Sequence, residues 1–72
     1  MDKRYFEYIG GTSAKFWEVG VVGRQVTVRF GRIGTEGQTQ VKDFADAGAA
    51  TKHAEKLVTE KTRKGYAEAV AR

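Results

Sequence analysis

The apolar residues follow two different rhythms along the chain. Up to Phe44 they tend to recur at every second position, and from Asp46 onward at every third or fourth. The aromatic-rich run Arg4-Tyr5-Phe6-Glu7-Tyr8-Ile9, broken by Gly10-Gly11-Thr12-Ser13, predicts a strand and then a loop. Lys15 to Val22 predicts a second strand with Trp17, Val19 and Val21 on one face and Lys15 assigned to the other. Gly23-Arg24 suits a two-residue turn and Gln25 to Phe30 alternates again, so these two runs are expected to pair as a hairpin. Gly31 to Gln38 holds three glycines at spacings of three and predicts a bulge and an irregular loop, with Arg32 released from the strand's alternation. Thr39 to Phe44 resumes as a fourth strand.

Beyond Phe44 the pattern is helical. Asp46 is a suitable N-cap, and Ala47, Ala50, Ala54, Leu57, Val58 and the stem of Lys61 form one stripe. The stripe ends near Lys64, with Gly65 at the C′ position and Tyr66 just beyond it. Ala67 to Arg72 either extends the helix or frays. The expected fold class is α+β, a single antiparallel sheet of about four strands covered by one long C-terminal helix. A single domain over residues 1–72 is expected, with its core at about 4–66.

Composition narrows the picture. At 72 residues the chain buries only about 60% of its unfolded surface, and it has no cysteine to add a disulfide or thiolate site. No apolar leader segment follows Met1, and the longest apolar run is Ala69 to Ala71, so neither export nor a membrane partner is expected. A cytoplasmic location follows, compatible with association to the nucleoid. Thirteen Lys and Arg against nine Asp and Glu give a formal charge of +4, which favours anionic partners, nucleic acid first.

Catalytic chemistry is thin. His53 is the only histidine and falls on the helix flank; Ser13 lacks spaced partners for a triad. Glu55 and Glu60 lie five apart, on different helix faces. The glycines at 31, 34 and 37 match neither dinucleotide nor phosphate-loop spacing, and no helix opens after them. The expectation is a non-enzyme with no cofactor and no metal, acting as a monomer.

The informative stretch is Val26 to Gln38, where two arginines flank Phe30 as a strand runs into glycine. In a strand, Phe30 shares a face with Val26 and Val28 while Arg29 points the other way. Two readings are open. Phe30 is the last core residue with both arginines solvated, or it is a ring at the sheet's rim with Arg29 and Arg32 beside it. Such a ring stacks on a sugar or base, and arginine holds phosphate through paired N–H donors.

Lys15-Phe16-Trp17, then Val28-Arg29-Phe30-Gly31-Arg32-Ile33-Gly34, a loop with Gly37-Gln38, and Glu60-Lys61-Thr62-Arg63-Lys64-Gly65-Tyr66 together resemble the WGR domain. The likeness runs from about Arg4 to Glu68 with the pieces in the family's order, and it is greatest to the stand-alone bacterial members. In eukaryotes the family occurs within DNA-damage-dependent poly(ADP-ribose) polymerases, where it grips the end or nick of a duplex. There the motif's Trp packs on the terminal sugar and the following Arg helps hold the break. In this chain the Trp is replaced by Phe30, which keeps a π-face and loses the indole N–H.

The resemblance implies a site built on Phe30, Gly31 and Arg32, supported by Gln38 and Lys15. The residues themselves add Arg29 as a nearby cation. Lys61 and Lys64, with Arg63, either complement the helix dipole or clamp phosphate. The implied function is recognition of DNA ends or nicks; the alternative is an adaptor docking an acidic protein partner without nucleic acid.

Overall fold

In a computed structural model that describes residues 3–70, the two rhythms become a sheet and a helix. The strands are β1 (Arg4–Gly10), β2 (Ser13–Val22), β3 (Gln25–Arg32) and β4 (Gln38–Asp43), followed by α1 (Ala47–Arg63) and a short β5 (Ala67–Glu68). All pair antiparallel in the order β4-β3-β2-β1-β5. The expected α+β class with one sheet and one long helix is what forms. Among the described residues no helix is long and apolar enough to cross a membrane.

Strand register sets which side chains share a face. Phe6, Trp17 and Phe30 lie abreast across β1, β2 and β3, and Val19 faces Val28 while Val21 faces Val26. Helix α1 packs on this face. Its Ala50 and Ala54 are fully buried, and with no side chain beyond Cβ they let the helix settle close onto β2 and β3. Phe6, Val19 and Val26 close the core beneath, each contributing on the order of 1.5–3 kcal/mol by burial.

Both helix ends follow the sequence. The Asp46 carboxylate accepts the Ala49 N–H at 2.7 Å. At the other end the Tyr66 N–H donates to the Lys61 carbonyl and the Gly65 N–H to the Thr62 carbonyl, both at 3.1 Å, with Gly65 at φ 103°. That is a Schellman closure, which requires the left-handed conformation glycine adopts without strain.

Four expectations are corrected. Residues Ala67 and Glu68 neither prolong the helix nor fray; they form β5 beside Phe6 and Glu7, clamped by two hydrogen bonds from the Arg4 guanidinium to Glu68 at 2.8 and 2.9 Å. Ala71 and Arg72, also part of that expectation, lie outside the described residues. Gly31 and Arg32 stay in the β3 ladder opposite Phe16 and Lys15, so Arg32 keeps the strand's alternation and shares a face with Phe30. Gln38 is the first residue of β4, opposite Phe30, rather than a loop residue. Lys15 lies on the same face as Trp17, two residues on, because strand side chains repeat with period two.

The opposite face of the sheet is covered in part, around Phe16, while Ile9, Val22 and Val41 on the same face stay exposed. Phe16 is only 3% exposed, although the helix lies on the other side. The loop at 33–37 folds back over it and Tyr5 stacks beside it at 5.9 Å between ring centroids. Gly37 makes this return path passable: at φ 70°, a Cβ there would run into the Phe30 carbonyl oxygen and come within 2.8 Å of the Phe16 ring.

Candidate nucleic-acid interface

One end of the helix-covered face gathers most of the residues singled out above. Phe30 stands between Trp17 and Gln38, one step before Gly31 and Arg32, and Arg32 stands beside Lys15 across the strand pair. The Schellman turn brings the last turn of α1 over the same end. Lys15, Lys61 and Lys64 then surround a shallow hollow of about 340 Å³, floored by Tyr8 and Tyr66 with Ser13 at its edge. The two tyrosine rings lie 5.5 Å apart.

The electrostatics of this end are one-sided. The ion pairs among the described residues are Arg4 with Glu68 and Arg29 with Glu18, and neither belongs to the cluster. The Lys61 ammonium lies 5.8 Å from the Trp17 ring and 5.4 Å from the Tyr66 ring. Burial pushes its pKa below the ordinary lysine value, and the charges of Lys64 and Lys15 push the same way against Glu60. A cation held in this manner favours the arrival of an anion.

Phe30 is half-buried: one side packs on the core, and the other lines a groove between α1 and β4. The groove exists because the helix sits over β2 and β3, leaving all six residues of β4 exposed. Its volume is about 440 Å³.

Arg29 is not part of this group. Strand alternation puts it on the opposite face, where its Nε donates to the Glu18 carboxylate at 3.2 Å and an Nη to the Glu36 carbonyl at 2.9 Å. Its guanidinium also lies 4.6 Å from the Phe16 ring centre. It holds the returning loop against the sheet.

The structure thus brings Phe30, Gly31, Arg32, Gln38, Lys15, Lys61 and Lys64 to one end and sends Arg29 to the other side. Tyr8 and Tyr66 were missed as neighbours of the cluster. The signal for Tyr8 was available: a two-residue turn at Gly11-Thr12 pairs Tyr8 with Lys15. His53 flanks the helix as expected, its ring 4.8 Å from Phe44. Among the described residues no group of three His, Cys, Asp or Glu is arranged to hold a metal ion.

A small antiparallel sheet capped by one helix, with an aromatic–glycine–arginine strand end beside the helix terminus, defines a class of domain. The chain belongs to the WGR domain family, whose profile matches residues 2–72. It is similar to Protein YehF of Escherichia coli strain K12, 45% identical over 65 residues, covering 90% of this chain and 24% of that protein. The uncharacterized protein YfeS of the same organism is 36% identical over 66 residues, covering 92% of this chain and 27% of its own length. A solved protein of Bacteroides fragilis superposes with a TM-score of 0.93 at 51% identity, over 94% of this chain and 19% of its own. The chain therefore spans about a quarter of the length of these curated relatives and a fifth of the solved one. Neither curated relative has a name that describes a catalytic activity, and the family is consistent with a nucleic-acid-binding module.

Proposed function

We propose that this domain is a non-enzymatic DNA-binding module that selects duplex ends or nicks over intact duplex. The observation that carries the reading is the convergence of Lys15, Arg32, Lys61 and Lys64 around one end of the sheet, with the half-buried Phe30 ring at the same place. The cations supply phosphate contacts, which position a duplex without reading its sequence. The Phe30 ring supplies a surface that an uncovered terminal sugar meets and a continuous helix does not. Arg32 is the central contact because its guanidinium is a forked set of donors, exposed on the strand beside that ring. Lys61 gains most from an arriving phosphate, since the anion offsets the burial and the neighbouring charges that its ammonium suffers alone.

The test is a fluorescence-anisotropy titration on blunt, nicked and covalently closed circular DNA. Blunt and nicked DNA should bind more tightly than the circle. With roughly four phosphates neutralised, affinity should fall about a hundredfold between 50 and 200 mM salt. Arg32→Glu should abolish binding. Equal affinity for the closed circle would refute end recognition, and an Arg32→Glu protein that binds like the parent would refute the location of the site.

A further inference from the structure

We propose that the groove between α1 and β4 is a slot for unpaired nucleotides leaving a duplex end, so that ends with a short single-stranded run bind more tightly than flush ends. This rests on the end-binding reading above and adds a subsite to it.

The groove begins where the duplex terminus is placed. Phe30 and Lys61 border both the basic end and the groove, which then runs back along β3 past Val28 to Val26. A strand separating at the terminus has this channel directly ahead of it. From Phe30 to Val26 the strand covers about 13 Å at roughly 3.3 Å per residue. Against about 3.4 Å of rise per nucleotide along one strand, that is room for on the order of two to four nucleotides.

The chemistry of the walls suits bases and phosphates together. Trp17 and Val26 seal the bottom, so an occupant meets the half-buried Val28, Phe30 and Leu57, an apolar surface for the faces of bases. Gln40 on the β4 wall carries both a donor and an acceptor, the pair that base edges present in turn. Lys61 and Lys42 border the slot, and among the described residues no carboxylate lines it. Cations beside aromatic stacking surfaces are the recurring device for holding single strands without sequence preference, and Phe30 is the ring this slot offers. Continuity with the basic end favours this occupant over an acidic peptide, whose docking would not need the groove to open at Phe30.

The experiment compares one hairpin duplex with a flush end against the same hairpin carrying four unpaired thymidines on either strand. The overhang should raise affinity about tenfold. Gln40→Glu should remove that advantage by placing a carboxylate in the slot, whereas Gln25→Glu, with the same net charge but on the opposite face of the sheet, should keep it. Amide and methyl NMR shifts at Val28 and Leu57 should appear with the overhang and not with the flush end. Flush and overhanging ends of equal affinity, both tighter than closed circular DNA, would overturn the slot while leaving end recognition standing. No preference of either end over the closed circle would overturn both. Shifts at Val28 and Leu57 produced by a leucine-containing acidic peptide but not by the overhang would overturn the slot in favour of a protein partner.

Discussion

Arg29 and Arg32 lie three residues apart on one strand and serve opposite faces of the sheet. Arg29 points away from the helix into a pair with the nearly buried Glu18 and a hydrogen bond to the Glu36 carbonyl, over the ring of Phe16. Arg32 points to the helix side, exposed beside Lys15 and without an ion-pair partner among the described residues. The odd separation makes the difference, since each step along a strand reverses the face. One cation is bound into the fold and the other is left for a ligand. A basic count alone treats them as equals, and +4 of net charge says nothing about which arginine is available.

Removing each arginine in turn should give opposite results. Arg29→Ala leaves the Glu18 carboxylate, 8% exposed, without its cation and loosens the loop at 33–37. With Arg29 itself about a third exposed, the loss should lie between those of surface and buried pairs, about 2–3 kcal/mol in urea denaturation. Arg32→Ala should change stability by no more than about 0.5 kcal/mol. Its effect should fall on DNA instead: about tenfold weaker binding to a nicked duplex and a salt slope reduced by about one. If Arg29→Ala folds as well as the parent, or Arg32→Ala unfolds it, the division of labour drawn here fails.

A smaller effect should come from Phe30→Trp, which restores the indole N–H and the larger ring of the family motif. The ring already lies against open groove, so the substitution should tighten nicked-duplex binding several-fold without a loss in melting temperature. Weaker binding would mean that the terminal sugar does not pack here.

The smallest effect tests the cluster's own repulsion. The folded protein holds Lys61 below its ordinary pKa of 10.5, first by burial and then through Lys64 and Lys15. Its charge therefore opposes folding at every pH below the depressed value, and that opposition disappears as the pH climbs toward 10.5. Lys61→Met should raise the melting temperature slightly at neutral pH, by an amount that shrinks in alkaline buffer, while weakening DNA binding. A variant that melts lower at neutral pH would show that its contacts to the Trp17 and Tyr66 rings outweigh the repulsion.

Much of the architecture was legible in local pattern. Aromatic richness marked the first strand and alternation the strands of the hairpin after it, and a capping aspartate, an alanine stripe and a terminal glycine marked the helix, because each of these signals acts within a few residues of backbone. The two residues of β5 carried no such signal; they are a strand only because the edge of β1 offers a ladder and Arg4 reaches Glu68. Gly31 to Gln38 misled for the reverse reason. Its glycines suggest an early exit from the ladder, yet Gly31 stays paired because Phe16 and Lys15 hold its strand, and the glycines serve the loop's close return over Phe16.

Local sequence is enough to set the strand and helix periods, the shared face of Phe30 with Val26 and Val28, and the helix caps, since these depend on bonded geometry and short-range hydrogen bonds. The assembled fold is what buries Phe16 on the far side, pairs Arg29 with Glu18, and brings Lys15 to Lys61 and Lys64. It also stops the helix short of β4 and leaves a groove. Each of these joins residues distant along the chain, and such meetings are set by how the helix and the loop dock on the sheet, a choice governed by the packing of the whole core.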